Sequence, residues 1–407
     1  LGTGFKCKSP KTMSSLSRLR GTFNTSTIRR LSSSAAASET TAVSAAISPP
    51  QKSLSSIVNG ERNPKRMVEK FKKACESERF RANIAVYDRT VRRLVAARKL
   101  HCVEEILEEQ KKYRDMSKEG FVARIISLYG KAGMFENAQK VFDEMTERDC
   151  KRSVLSFNAL LSAYGLSKKF DVVEQLFTEL PRELSIKPDI VSYNTLIKAL
   201  CEKGSLLEAV ALLDEIESKG LKPDIVTWNT LLLSSYLKGQ FEQGEEIWVK
   251  MVEKNVAADI RTYNARLLGL ANVMKSEDLV NLFEELKASG IKPDVFSFNA
   301  MIRGSINQGN MNEAKSWYKE IVKHGYRPDI STFALLLPAM CKACDFGSAI
   351  ELCKEAFSKR YLVGQATLQL LVDELVKGSK RGEAEEIVEI AKTNDFLKFK
   401  LDLSSHE

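Results

Sequence analysis

The side chains best suited to chemistry in this sequence are asparagines and aspartates that recur at a constant step. Five asparagines are separated by 36, 35, 35 and 35 residues, and an aspartate follows each of them 30 or 31 residues later. An amide both donates and accepts hydrogen bonds, whereas an ionised carboxylate only accepts them. The pattern therefore predicts a ladder of hydrogen-bonding sites. Its members are Asn158, Asn194, Asn229, Asn264 and Asn299, with Asp189, Asp224, Asp259, Asp294 and Asp329.

Residues that usually carry catalysis are few and isolated. The three histidines, His101, His324 and His406, belong to no metal or triad pattern. Cys341 and Cys344 form a single C-x-x-C, and a structural zinc site needs two further ligands. No glycine-rich phosphate-binding loop is present. The sequence therefore predicts no catalytic residue, no metal site and no cofactor, and the protein is not expected to be an enzyme.

The net charge of +9 suggests a polyanionic partner, but the charge is unevenly distributed. Residues 1–38 contain seven basic residues and no acidic one, which leaves only +2 on residues 39–407. A nucleic-acid site in the body of the protein must therefore come from segregation of charge between faces. No apolar stretch is long enough for a membrane span, and the eight cysteines are expected to be reduced and mostly buried.

The first 37 residues have the composition of an organellar transit peptide with a leader. They are rich in serine, threonine and arginine and lack acidic residues. Arg29-Arg30-Leu31 followed by Ser32 favours a mitochondrial processing site, and hence the mitochondrial matrix, with the chloroplast stroma as the alternative. Residues 38–63 are predicted to be a flexible linker, residues 64–83 a partial helical segment and residues 400–407 a tail.

The elements that position the asparagines are pairs of helices. In one block, Tyr193, Leu196 and Leu200 form an apolar stripe at helical spacing, and a second stripe follows Gly204. Gly220 ends the second helix as a left-handed cap, with Gly290, Gly325 and Asn255 in the same place of other blocks. Each hairpin exposes more apolar surface than it can bury alone, so stacking on its neighbours is expected.

The register extends outward to about nine helix-turn-helix blocks. Small residues occupy the twentieth place of most blocks, which predicts close helix approach there: Ala138, Ala209, Gly244, Ala314, Ala349 and Ala384. The expected fold is an all-α, right-handed superhelical solenoid with the first helices lining the concave face. The blocks cover 84–118, 119–153, 154–189, 190–224, 225–259, 260–294, 295–329, 330–364 and 365–399.

These blocks resemble the pentatricopeptide repeat family, P class. The opening phrase Val191-Ser192-Tyr193-Asn194 and the closing Pro-Asp carry the resemblance, which is strongest over 154–329. It implies that each block reads one base of single-stranded RNA. The fifth residue contacts the base edge, and the last residue orients it. The implied pairs are Asn158 with Asp189, Asn194 with Asp224, Asn229 with Asp259, Asn264 with Asp294, and Asn299 with Asp329.

In that family, the Asn–Asp combination favours uridine. An aspartate can hold the asparagine NH₂ group, so that the asparagine oxygen accepts a hydrogen bond from N3–H of uracil. The second residue of each repeat packs on the base: Leu155, Val191, Val226, Arg261 and Phe296. Lysines near the ends of the first helices are candidates for phosphate contacts: Lys131, Lys168, Lys203, Lys238 and Lys342.

The flanking blocks lack these pairs, so no base is assigned to them. A run of five uridines is a short sequence that recurs often by chance, which favours a general role over recognition of one transcript. The size and pattern resemble the small plant proteins of this family that accompany mitochondrial ribosomes. The first hypothesis is therefore a mitoribosomal component, on the small subunit, with rRNA or mRNA and mitochondrial ribosomal proteins as partners. The alternatives are a transcript-specific organellar stability, splicing or translation factor, and a protein-binding helical scaffold.

Overall fold

The computed structural model describes residues 53–394, 396–397 and 399–403, and these form helices and no strand. The predicted transit peptide, the linker as far as residue 52 and most of the tail lie outside the described residues. None of the described helices has the length and apolar character that crossing a membrane requires.

The start of each regular first helix is fixed by a capping box. The last residue of the preceding block is the N-cap, and its side chain accepts from a backbone N–H of the first turn. The hydroxyl of the third residue of the new block accepts from the backbone N–H of that N-cap. Two otherwise unsatisfied donors are thereby paired at each of these five boundaries, whereas Lys118 and Gly364 at the outer boundaries make no side-chain cap.

The ends of the second helices match the sequence prediction. Gly220, Gly290 and Gly325 have φ of 75°, 80° and 76°, and Asn255 has φ of 54°. This left-handed conformation costs glycine nothing and is tolerated by asparagine. The predicted caps are confirmed, and each returns the chain toward the next first helix.

Each of the nine expected blocks contains one helical hairpin. The first helices are α4 (Ile84–Ala96), α6 (Glu119–Lys131), α8 (Val154–Leu166), α10 (Ile190–Lys203), α12 (Ile225–Leu237), α14 (Ile260–Asn272), α16 (Val295–Asn307), α18 (Ile330–Lys342) and α20 (Gln365–Lys377). The second helices are α5 (Leu100–Glu108), α7 (Phe135–Asp143), α9 (Phe170–Glu183), α11 (Leu206–Ser218), α13 (Phe241–Glu253), α15 (Ser276–Ala288), α17 (Met311–Lys323), α19 (Phe346–Ser358) and α21 (Arg381–Thr393).

Stacking of these hairpins makes one continuous core. Consecutive first helices pack directly against each other from α4 to α20, and each second helix packs on its own first helix. The small residues of the twentieth place are buried; a Cβ on Gly244 would stand 2.4 Å from the Tyr236 ring. Close approach explains the recurrence of small residues there. The predicted all-α solenoid is confirmed, and the exposed side of the first-helix layer is called the first-helix face below.

The described N-terminal part differs from its prediction. Helix α1 (Leu54–Gly60) lies within the interval 38–63 that was expected to be a linker, whereas α2 (Pro64–Ala74) lies in the interval 64–83 that was expected to be partly helical. A short helix, α3 (Glu78–Arg81), leads into the first block. Helix α1 packs on α4 and α2 packs on α5, so the pair acts as one more hairpin. Val58 is completely buried, and the composition of this interval did not indicate that burial.

Candidate nucleic-acid interface

The five asparagines occupy equivalent places on successive first helices. Each lies one turn inside its helix, and the aspartate predicted to pair with it is the N-cap of the next first helix. Stacking therefore brings together side chains that are 30 or 31 residues apart in the sequence. We call these five asparagines with their aspartates the Asn row.

Every expected asparagine–aspartate contact is made, with nearly identical geometry. The amide nitrogen Nδ2 donates to aspartate Oδ1 in each pair. The distances are 2.9 Å for Asn158–Asp189, 3.0 Å for Asn194–Asp224, 3.0 Å for Asn229–Asp259, 3.0 Å for Asn264–Asp294 and 3.1 Å for Asn299–Asp329.

A third residue, which was not among the predicted site residues, completes each pair. The hydroxyl at the third place of the following block is buried and donates to the asparagine oxygen Oδ1. The donors and distances are Ser192 to Asn158 at 2.5 Å, Thr227 to Asn194 at 2.6 Å, Thr262 to Asn229 at 2.7 Å, Ser297 to Asn264 at 2.6 Å and Thr332 to Asn299 at 2.8 Å. The recurrent Asp-x-x-Ser/Thr spacing is the signal that could have revealed these donors.

The amide is consequently held at both ends and cannot be turned over. Reversing it would place the amide oxygen against the carboxylate, where two acceptors would face each other with no proton between them. Each amide keeps one N–H and one oxygen lone pair for a further partner. Four of the five asparagines are half-buried, whereas Asn299 retains only 7% exposure. Asn299 is therefore the member least accessible to a ligand.

Three carboxylates of this network, Asp189, Asp224 and Asp259, are stabilised in their ionised form. Burial raises the pKa of Asp224, but hydrogen bonds from the Thr227 backbone, the Asn194 amide and the Thr227 hydroxyl more than offset it. The net effect lowers the pKa, and the same balance lowers the pKa values of Asp189 and Asp259. A charged acceptor makes the hydrogen bonds to it stronger than neutral ones.

Acidification is expected to destabilise the array through these carboxylates. Because their folded pKa values lie below the unfolded value near 4, the unfolded chain binds more protons as the pH falls below about 5. The stability they contribute is present above that range and is lost as the pH falls through the folded pKa values. Asp224→Asn should make the midpoint of thermal unfolding less sensitive to pH between about 7 and 3. An unchanged pH dependence would contradict this account; Asp214→Asn, on the outer helix α11, is the control.

The residues predicted to pack on bases are exposed beside the Asn row. Leu155, Val191, Val226 and Phe296 expose 50%, 52%, 48% and 65% of their surface, and Arg261 is also exposed. These residues occupy the second position of each first helix, where they are exposed, so packing of the protein core does not require apolar side chains there. Their exposure is what a stacking role needs.

The lysines predicted to meet phosphates divide into two groups. Lys131 pairs with Asp88 at 2.6 Å, Lys203 pairs with Asp171 and Glu174 at 2.8 Å each, and Lys238 donates to the Cys201 carbonyl. Lys168 and Lys342 are exposed and make no ion pair within the described part of the chain. Lys168 and Lys342 therefore offer ammonium groups with no ion pair among the described residues, whereas Lys131, bonded to Asp88 alone, keeps further N–H donors for a second anion.

In the flanking blocks, side chains other than an asparagine–aspartate pair join neighbouring repeats. Where block 119–153 has Ala123 instead of asparagine, Glu119 accepts from Ser153 N at 2.7 Å and from the Ser156 hydroxyl at 2.8 Å. At the other end, Gln369 bonds the backbone of Asp402 through both its amide atoms. These ends keep the stacking contacts but present no aligned amide to a ligand.

Six of the seven described cysteines are buried, and only Cys344 is exposed. Burial raises the pKa of Cys341, three residues before Cys344, to about 11, so this thiol stays protonated at neutral pH. In the part of the chain that the structure describes, no three His, Cys, Asp or Glu residues converge on a point where a metal could bind.

Two curated relatives come from Arabidopsis thaliana. The small ribosomal subunit protein mS78 (rPPR3a) is 86% identical over 211 residues, which is 51% of this chain and 53% of that protein. The small ribosomal subunit protein mS79 (rPPR3b) is 67% identical over 213 residues, with the same 51% and 53% coverage. The chain thus spans about half the length of the curated relatives it matches.

A solved structure of maize PPR10 with an 18-nt psaJ RNA element aligns with a TM-score of 0.48 and 19% identity, covering 85% of this chain and 60% of that one. Three family models match: the PPR repeat family at 188–234 and 293–342, the pentatricopeptide repeat domain at 140–203 and 246–303, and the PPR repeat at 124–150 and 226–256. Together they cover 124–342, more than half of the 407 residues. The chain, with its stacked 35-residue hairpins, belongs to the pentatricopeptide repeat family.

Proposed function

We propose that this protein is an RNA-binding component of the plant mitochondrial ribosome, on the small subunit, and acts in translation. The observation that carries the RNA-binding part is the Asn row, five amides held in one orientation by equivalent carboxylates and hydroxyls. The ribosomal part is supported by mS78 and mS79, both named as small ribosomal subunit proteins.

A fixed amide offers a donor and an acceptor in one order. The free lone pair of the asparagine oxygen can accept from N3–H of uracil, and the remaining N–H can donate to a neighbouring carbonyl of the base. Cytosine lacks N3–H and presents an acceptor at N3. In the same position it would place this acceptor against the amide oxygen, which is also an acceptor. Uridine-rich single-stranded RNA, from rRNA or mRNA, is therefore the proposed ligand, with one base to each repeat.

The flanking side chains support the same ligand. The exposed residues Leu155, Val191 and Phe296 give each base an apolar or aromatic surface, and Arg261 can stack through its guanidinium plane. Lys168 and Lys342 are the predicted phosphate partners that are not already engaged. Since Asn299 is the most buried amide, we expect the fifth uridine to contribute least.

One observation favours a different function, that of a protein-binding helical scaffold. The aspartate and the hydroxyl that orient each amide also cap a helix, and their bonds to the amide join two repeats, so the Asn row has a structural role even without RNA. In a pure scaffold, oligouridine would not bind even at low salt, where electrostatic attraction is greatest. Binding of oligouridine over oligocytidine separates the two functions.

We assign the protein to the mitochondrial matrix, with the chloroplast stroma as the alternative address, and we assign it a binding role rather than a catalytic one. The names of the ribosomal relatives support the first assignment. The described residues offer one surface with repeated unsatisfied hydrogen-bonding capacity, the Asn row, and its groups suit recognition of a base edge.

Sedimentation tests the ribosomal assignment directly. In a sucrose gradient of plant mitochondrial lysate, the protein is expected to migrate with the small subunit, and to stay with it when Mg²⁺ is lowered enough to separate the subunits. Migration with the large subunit would contradict the small-subunit assignment. Recovery only in light fractions, with and without Mg²⁺, would contradict ribosomal association altogether.

A further inference from the structure

We propose that the first two repeats extend the RNA surface as a site that holds the phosphodiester backbone without reading bases. The site is formed by Arg89 and Arg92 of α4 with Arg124 and Lys131 of α6. It rests on the proposed RNA binding of the Asn row and adds to it a second, sequence-independent contact.

Charge is segregated along the array. Residues 53–153 contain 23 basic and 16 acidic residues, whereas residues 154–407 contain 31 basic and 36 acidic residues. The net charges are therefore +7 and −5. The part of the protein that carries the Asn row is acidic overall and has little long-range attraction for RNA, whereas the part preceding it is basic. Long-range electrostatic attraction for RNA therefore comes mainly from residues 53–153, whereas base recognition belongs to the repeats that follow.

The cations of the basic part converge on the first-helix face. An open depression between α4 and α6 is lined by Asp88, Arg89, Arg92, Arg124 and Lys131. The single carboxylate there, Asp88, accepts from Arg92 and from Lys131 at 2.6 Å, which holds both cations toward the depression. Four cations against one carboxylate leave an excess of positive charge at the site.

One of these cations is fixed independently of Asp88. The Arg124 guanidinium lies over the rings of Tyr87 and Phe121, at 4.7 Å and 4.5 Å from their centroids. It donates one hydrogen bond to the Arg81 carbonyl at 2.7 Å. Because stacking and this bond hold the guanidinium, its remaining Nη–H groups are oriented before an anion binds, which lowers the entropic cost of binding; its Nε–H is buried and does not take part.

The same repeats lack the means to read a base. At the place of the asparagine they carry Asp88, whose oxygens are occupied by two cations, and Ala123, which has no polar side chain. The depression nevertheless continues to Leu166 at the end of α8, the helix that carries Asn158. Leu166 lies about two helical turns beyond Asn158 on α8, so we expect a strand that leaves the Asn row at this end to meet these cations through its phosphates.

Chimeric oligonucleotides test this proposal with the full-length chain. Oligouridine of eight nucleotides is compared with the same oligonucleotide extended by five abasic ribose phosphates, at the 5′ end in one probe and at the 3′ end in another. We expect one extension, and not the other, to raise affinity by about tenfold at low salt and to steepen the salt dependence, since each phosphate contact releases counterions.

The double variant Arg89→Gln/Arg92→Gln should abolish the gain from the extension while binding bare oligouridine nearly as tightly as wild type. Lys250→Gln/Lys319→Gln, two exposed residues on the second helices, makes the same change in net charge and should retain the gain. Asp88→Asn should increase the gain, because it removes the one carboxylate from the site. Proper folding of each variant is checked by circular dichroism.

The proposal is overturned by no gain from either extension, by an equal gain from both, or by a gain that survives Arg89→Gln/Arg92→Gln. A gain lost equally in the Lys250→Gln/Lys319→Gln control would also overturn it, since net charge alone would then explain the effect. Failure of bare oligouridine to bind is a distinct outcome, because it contradicts the proposed function of the Asn row itself.

Discussion

Replacing Asn229 and Asn264 together with alanine is expected to weaken binding of oligouridine on the order of a hundredfold. The two central amides would each lose the contact to a base edge, and a well-placed base contact contributes about 1–3 kcal/mol. The affinity is measured by fluorescence anisotropy at fixed low salt. The slope of affinity against salt should stay unchanged, since no phosphate contact is removed.

The control for this prediction must separate binding from folding, because each amide also joins two repeats. Asn281→Ala removes an exposed asparagine of α15, away from the Asn row, and should change neither affinity nor stability. Thr262→Val removes the hydroxyl that holds Asn229 but keeps the amide, and it should reduce the preference for uridine over cytidine. Equal affinity of the Asn229→Ala/Asn264→Ala variant and the wild type would refute base reading by the Asn row.

Replacing Tyr236 with alanine is expected to lower the free energy of unfolding by about 3–5 kcal/mol, the usual cost of removing a buried aromatic side chain. Tyr236 is 1% exposed, and its ring fills a slot between Gly244 and Gly269. Its hydroxyl donates to Glu245 at 2.6 Å, and Glu245 also accepts from Arg266 at 2.7 Å. One side chain thus ties three helices of two repeats, and urea denaturation followed by circular dichroism measures the loss.

The slot itself provides the control. A Cβ on Gly269 would stand 2.3 Å from the Tyr236 ring, so Gly269→Ala should destabilise the wild type by about 1–3 kcal/mol. In the Tyr236→Ala background the ring is absent, and the same change should cost little or even stabilise the helix. Gly165→Ala, where no atom lies within 4 Å of the new Cβ, should not destabilise at all. Additive effects of Tyr236→Ala and Gly269→Ala would contradict this packing.

Much of the fold could be predicted because its determinants are local and repeat. The left-handed caps at Gly220 and Asn255 need only the conformational freedom of one residue. The apolar stripes need only the period of the helix. The small residue at the twentieth place signalled close packing without showing its partner, and in one repeat the structure identifies that partner as Tyr236.

The helix α1 shows where local patterns mislead. Its seven residues carry few strongly apolar side chains, and the preceding prolines suggested a linker. The helix forms because Ser53 caps it and because Val58 packs completely against the next hairpin. Tertiary burial outweighs weak propensity in so short a helix, and composition alone does not report that burial.

By itself, the sequence determined the repeat, its helices and the identity of the Asn row, since a constant step of about 35 residues places equivalent side chains on equivalent helices. The pairing of each asparagine with its aspartate was also expected, but only the tertiary structure decided which further groups the predicted site residues meet. It placed Ser192 and Thr227 on the asparagine oxygens, and it engaged Lys131 and Lys203 with carboxylates. Hydrogen bonds and ion pairs depend on side chains from neighbouring repeats meeting within about 3 Å, a condition that spacing along one chain does not specify.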